Sequence, residues 1–147
     1  MPNITIYSHV CFLENPCEAI GYGVIVKFKD VTKTFSKGFQ NTTINRVEMQ
    51  GIIDVLTLYN NPCKFTVYTE SRYIVDGIEK GWARNWRRNG WKKYDGSPAK
   101  NRDLWERLLD LTEYHKVKFV RNHENMYMYL ERCHELAYWA TLAQTHK

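Results

Sequence analysis

The chain has 147 residues, with 44% apolar and 25% charged side chains and a mean hydropathy of −0.55, the balance of an ordinary globular domain. No apolar run approaches the roughly 18 residues that span a bilayer, and Met1-Pro2-Asn3-Ile4 lacks the basic and apolar regions of a secretory signal. These features exclude a membrane protein, a secreted precursor and a coiled coil. They leave one compact domain over residues 1–147, expected in the cytoplasm as a monomer. The four cysteines, Cys11, Cys17, Cys63 and Cys133, show no zinc-finger spacing and read as reduced, mostly buried thiols.

Along the chain, Asn3 to Cys11 alternates Ile4, Ile6 and Ser8 against Thr5, Tyr7 and His9, which predicts a strand. Strands over 19–28 and 32–39 follow, joined by the turn Lys29-Asp30-Val31, so the first three strands form an antiparallel meander. Thr43 is placed to cap a helix running to about Asn60, with Val47, Ile52, Leu56 and Tyr59 at helical spacing. Asn61-Pro62 breaks it ahead of a short strand, Lys64 to Tyr68. Helices are predicted over 71–80, 82–88 and 100–111, then a last strand over 117–120 and a closing helix over 130–145. This order implies an α/β fold with a mixed sheet, parallel where helical crossovers occur.

The charge is uneven. The chain carries +5 overall, yet residues 80–102 alone carry +7, from Lys80, Arg84, Arg87, Arg88, Lys92, Lys93, Lys100 and Arg102 against Asp95. Trp82, Trp86 and Trp91 run through the same stretch, and Trp82 and Trp86 share one helical face. Local cationic charge interleaved with rings predicts a handle that grips a phosphate backbone.

Six blocks in this order resemble ribonuclease H of the bacterial type 1 family over nearly the whole chain. They are Asn15-Pro16 with Gly21-Tyr22-Gly23, Thr43-x-Asn45-Arg46-x-Glu48, and Thr69-x-Ser71-x-Tyr73, followed by Trp82-x-x-Asn85-Trp86-x-x-x-Gly90-Trp91-Lys92, Lys100-Asn101-x-Asp103-Leu104-Trp105, and Glu131-Arg132-Cys133-x-Glu135-Leu136-Ala137. The resemblance implies the RNase H-like fold, a five-stranded mixed sheet flanked by helices. It also implies cleavage of the RNA strand of an RNA–DNA hybrid by carboxylates in the order Asp-Glu-Asp-Asp, which hold two divalent metal ions. At the matching positions this chain has His9, Glu48, Glu70 and His134, with His123 at the position of a loop histidine that assists product departure.

Three chemistries fit that departure. In the first, the site is silent and the protein only binds hybrid, because imidazole is a poor ligand for magnesium and two Glu supply half the charge of four carboxylates. In the second, the site is retuned. Every changed position still carries a metal-binding side chain, and two His with two Glu suit Mn²⁺, Fe²⁺, Co²⁺ or Zn²⁺ better than Mg²⁺. In the third, His9 or His134 acts with Glu48 or Glu70 in metal-free acid–base cleavage. The second is the leading expectation. His115 and His146 are read as structural.

The resemblance further implies that Asn15 and Asn45 contact nucleic acid near the cut. Thr43 and Asn101 match a phosphate pocket on the DNA strand, and Tyr73 and Trp86 match the walls of its channel. Ser71, Arg72, Trp82, Arg84, Arg87, Arg88 and Lys92 complete the expected nucleic-acid surface. Ile44, Phe12 and Arg72 depart from the family's contact residues, and the loop 122–129 lacks its glycine-rich Gly-His segment. The loop's tyrosines and methionines are expected to pack on the final helix rather than form an apolar lid.

Overall fold

A computed structural model gives the fold and describes residues 1–14, 18–121, 123–124 and 126–145. In chain order the elements are β1 (Asn3–Leu13), β2 (Ala19–Phe28), β3 (Val31–Gln40), α1 (Ile44–Leu56), β4 (Lys64–Tyr68), α2 (Arg72–Glu79), α3 (Trp82–Arg88), α4 (Arg102–Tyr114), β5 (Lys116–Val120) and α5 (Met126–Gln144). The strands form one sheet in the order β3-β2-β1-β4-β5. The pairs β3-β2 and β2-β1 are antiparallel, and β1-β4 and β4-β5 are parallel. The expected α/β fold and mixed sheet are therefore present.

The alternation in β1 divides the core between two faces. Ile4 and Ile6 join Val24, Val26, Val47, Ile52 and Leu56 under α1, in the main cluster that also takes in Trp105 of α4. Tyr7 and Ile25 point the other way and meet Cys133 of α5. The close approach of α5 to the sheet depends on glycine. A Cβ at Gly23 would overlap the Cys133 carbonyl, and one at Gly21 would lie 2.8 Å from the Ala137 carbonyl oxygen. The Gly21-Tyr22-Gly23 block is thus a groove for a helix.

Helix boundaries differ from expectation in three places. Helix α1 ends at Leu56, where Thr57 caps it and returns its hydroxyl to the Ile53 carbonyl at 2.6 Å. Helix α4 starts at Arg102, because Asn101 adopts a left-handed φ of 61°, and it continues to Tyr114. Helix α5 begins at Met126 instead of Leu130. Met126, Leu130, Cys133, Ala137 and Thr141 are all buried at helical spacing, so the apolar stripe starts a turn earlier than it reads. The residues expected to pack on the final helix as a loop instead form its first turn, with Met126 buried and Tyr127 and Met128 exposed.

Cys11, Cys63 and Cys133 are buried free thiols, and Cys17 lies outside the described residues. His115 is a core residue whose Nδ1 accepts the Cys63 N–H at 3.1 Å, while His146 lies outside the described residues. No helix among the described residues is long and apolar enough to cross a membrane.

Candidate active site

The parallel register of β1 and β4, with Tyr7 opposite Tyr68, sets His9, within β1, beside Glu70, which follows the carboxyl end of β4. Crevices at such strand ends are where open α/β sheets bind ligands. Here a cleft of about 380 Å³ is lined by His9, Ile44, Asn45, Glu48, Glu70, Ser71, Arg72 and Tyr73, among others.

Glu48 forms the floor. It projects from the capped first turns of α1 and is buried, with Oε1 accepting the Thr69 hydroxyl at 2.6 Å and the Ser8 hydroxyl at 3.3 Å. Burial pushes its carboxyl above the usual range and nearby Glu70 adds to this, while the two hydroxyls oppose it. Both bonds fall on Oε1, which leaves Oε2 for the cleft. Ser8 and Thr69 were missed as functional residues. The signals were available, since Ser8 interrupts an otherwise apolar inward row and Thr69 opens one of the six blocks.

His9 is half-buried, and its ring meets that of His134 on α5 edge to face, with centroids 5.2 Å apart and planes at 62°. Burial lowers the basicity of His9 and His134 lowers it further, with partial compensation from Glu70. His9 is thereby favoured as the neutral imidazole that ligation requires. Glu70 is exposed at the cleft mouth, and its main-chain carbonyl accepts the Arg121 Nε–H at 2.9 Å. The structure brings His9, Glu48 and Glu70 to one cleft and sets His134 against His9. His123 stands apart from the cleft lining. Its ring lies over Tyr68 at 5.5 Å and its N–H meets Met126 Sδ at 3.1 Å.

The donor set does not fit a pair of magnesium ions, because two carboxylates and two imidazoles lack the charge and hard oxygens that such a pair demands. By ligand type it fits one borderline divalent ion. Among the described residues, no three His, Cys, Asp or Glu side chains converge in a ready-made metal site.

The nucleic-acid residues fall into two groups. Asn45, Ser71 and Arg72 line the cleft. The Tyr73 hydroxyl accepts from Trp105 Nε1 at 2.8 Å and Asn101 Nδ2 at 3.2 Å, and donates to the Lys100 carbonyl at 3.3 Å. So fixed, Tyr73 forms with Trp82, Trp86, Lys93 and Lys100 a second hollow of about 310 Å³. Thr43 caps α1 through Arg46 N, and Asn101 Oδ1 accepts from the Arg46 guanidinium, which also pairs with Asp103 at 2.7 Å. Asn15 lies outside the described residues.

Among the tryptophans of the handle, Trp91 is buried, whereas Trp82 is substantially exposed and Trp86 packs edge to face on Trp105. Arg87 ties α3 to Asp110 and Glu113 of α4, Arg88 bonds Asn85, and Arg84 reaches the Ile78 carbonyl. Lys92, Lys93 and Lys100 are exposed.

With this geometry in place, a family model for RNase H matches residues 1–141. The chain belongs to the RNase H family. Among its relatives, a ribonuclease H of Desulforamulus reducens is 44% identical over 143 residues, covering 93% of this chain and 86% of the relative. One from Clostridium botulinum is 36% identical over 141 residues, covering 93% and 94%. Among solved structures, LC9-RNase H1, a type 1 RNase H with the type 2 active-site motif, aligns with a TM-score of 0.79 at 25% identity over 98% of this chain and 74% of that one. LC11-RNase H1 in complex with an RNA/DNA hybrid aligns at 0.69 and 17% identity over 96% and 98%, a likeness of fold.

Proposed function

We propose that this protein is a ribonuclease H that binds RNA–DNA hybrid and hydrolyses the RNA strand at the His9, Glu48, Glu70 and His134 cluster with one divalent transition-metal ion. The observation that carries this reading is the meeting of His9 and His134, from opposite ends of the chain, beside Glu48 and Glu70 at the sheet's crevice. Side chains left behind by decay would have no reason to remain ligand-competent at all four positions.

In this reading Glu48 is the fixed anchor, held through Oε1 with Oε2 toward the cleft. His9 is kept neutral by burial and so available as a ligand. Glu70 and His134 complete the set from the mouth. A bound ion would supply Lewis-acid stabilisation of negative charge on the phosphate oxygens. His123, on its Tyr68 platform, assists departure of the product. Tyr73 and Trp86 line the DNA-strand channel, and Lys92 with its neighbouring lysines holds the backbone. The protein works as a single-domain monomer in the cytoplasm, a setting consistent with its free thiols.

Cobalt spectroscopy tests the ligand set. Co²⁺ added to chelator-stripped protein is expected to give visible absorption bands that weaken in His9→Ala and His134→Ala. Absence of bound Co²⁺ and Mn²⁺ in the intact protein would overturn the metal reading. A second reading, a silent hybrid-binding module, draws support from the lack of a ready-made three-ligand site among the described residues. Hybrid binding with no cleavage under any ion distinguishes it.

A further inference from the structure

Of the arginines near the nucleic-acid face, three are neutralised by acids, while Arg84 and Arg88 bond the Ile78 carbonyl and the Asn85 side chain. Arg46 pairs with Asp103, Arg87 with Asp110 and Glu113, and Arg102 with Glu106. Two at the cleft are different. Arg72, in the first turn of α2, is exposed and lines the cleft beside His9, Glu48 and Glu70. Arg121 follows β5 directly, and the backbone there is held by the Thr69 N–H on the Val120 carbonyl at 3.1 Å. Its Nε–H is spent on the Glu70 carbonyl, which fixes the guanidinium alongside the cleft mouth. Among the described residues, neither Arg72 nor Arg121 forms an ion pair with any carboxylate.

The charge count at the cleft follows from these two residues. Glu48 and Glu70 are its acids, and two guanidinium groups flank Glu70 from separate elements. A site built on four carboxylates repels a phosphodiester until metal ions arrive, whereas here the fixed positive and negative charges balance before any ion binds. Arginine presents a planar fork of donors suited to phosphate oxygens, and a guanidinium without a carboxylate partner beside a groove is available to an anion.

We propose that Arg72 and Arg121 form a two-pronged anion site that seats a backbone phosphodiester of the nucleic acid at the cleft mouth without a metal ion. This rests on the hybrid-binding part of the function proposed above and not on cleavage. It assigns Arg121, which the sequence reading passed over, to substrate binding, and it makes docking at the cleft independent of the metal.

The test is anisotropy titration of a labelled RNA–DNA hybrid in excess chelator across a range of salt concentrations. Arg72→Gln, Arg121→Gln and the double variant are compared with intact protein, with Lys92→Ala as a control for backbone contacts. The double variant is expected to bind about tenfold or more weaker, with the slope of log K against log salt reduced by nearly one per lost phosphate contact. Arg121→Lys keeps the charge but loses the Nε–H bond to Glu70. It should retain most of the slope with weaker affinity. An unchanged affinity and slope in the double variant, with Lys92→Ala weakened, overturns the anion site while leaving hybrid binding intact. No hybrid binding by the intact protein overturns both the anion site and the binding reading beneath it. Loss of cleavage alone bears on neither measurement.

Discussion

His9 on β1 and His134 on α5 meet edge to face with ring centroids 5.2 Å apart, although 125 positions separate them in the chain. Their meeting depends on the seating of α5 against β2. His9 lies opposite Gly23 in the β1–β2 register, and Gly23 lies beneath the carbonyl of Cys133, the residue before His134. The backbone contact that holds the helix down is thus next to both histidines.

Gly23→Ala tests this dependence. The added methyl has no room under the Cys133 carbonyl, so α5 must lift or the strand must shift. Urea denaturation should show a loss of about 1–3 kcal/mol, the usual cost of forcing a methyl into a packed interface. Co²⁺ affinity should fall with it, because His134 moves away from His9. A variant with full stability and full metal affinity would contradict the coupling.

Glu48→Gln separates chemistry from folding. The amide Oε1 can still accept from Thr69 and Ser8, and the buried charge disappears. For a carboxyl raised above its unfolded value, the cost of ionisation is present at pH values above the folded pKa, so at neutral pH the variant should melt at or above the temperature of the intact protein. Hybrid cleavage should fall by at least about 10²-fold, the scale of losing one positioned group at a reacting centre. Calorimetry and a cleavage assay on the same preparation check both halves.

Acid should destabilise the metal-free protein through His115. Burial lowers its pKa below the ordinary histidine value, and Nδ1 is occupied by the Cys63 N–H. Below about pH 6.5 the unfolded chain takes up a proton that the folded chain refuses, so stability falls as pH drops through that range and is unaffected above it. His115→Asn retains an acceptor for Cys63 but does not titrate. Melting temperatures at pH 7.5 and 5.5 should therefore differ less in the variant than in the intact protein. The remaining difference includes the contribution of His9, which has the same sign.

Much of this architecture was legible in the sequence. The alternation of β1 and the Thr43 cap are local signals, and each acts as expected in the structure. The start of α5 was misplaced because Tyr127 and Met128 are exposed and hide the stripe that begins at Met126. The ligand-type residues were reached through the family resemblance, but the support beneath Glu48 was not. It joins Ser8 and Thr69 across 40 and 21 positions, and pairing at that range depends on the sheet register. The ion pairs of Arg87 were hidden for the same reason, since Asp110 and Glu113 sit on a different helix.

Those ion pairs give a further test. Lys92→Ala should lower the salt slope of hybrid binding by about one, while Arg87→Ala should leave the slope nearly unchanged. Removing Arg87's exposed ion pairs should cost less than about 1 kcal/mol of stability. An equal effect of the two substitutions on the slope would return Arg87 to the nucleic-acid surface.

The most direct measurement of the central claim is hydrolysis of a labelled RNA–DNA hybrid by chelator-stripped protein in Mg²⁺, Mn²⁺, Co²⁺ and Zn²⁺, with Glu48→Gln alongside. The account predicts cleavage of the RNA strand with a transition metal, little or none with Mg²⁺, and loss of activity in the variant. Hybrid bound but uncut under every ion would contradict it and leave a protein that holds the hybrid without cleaving it.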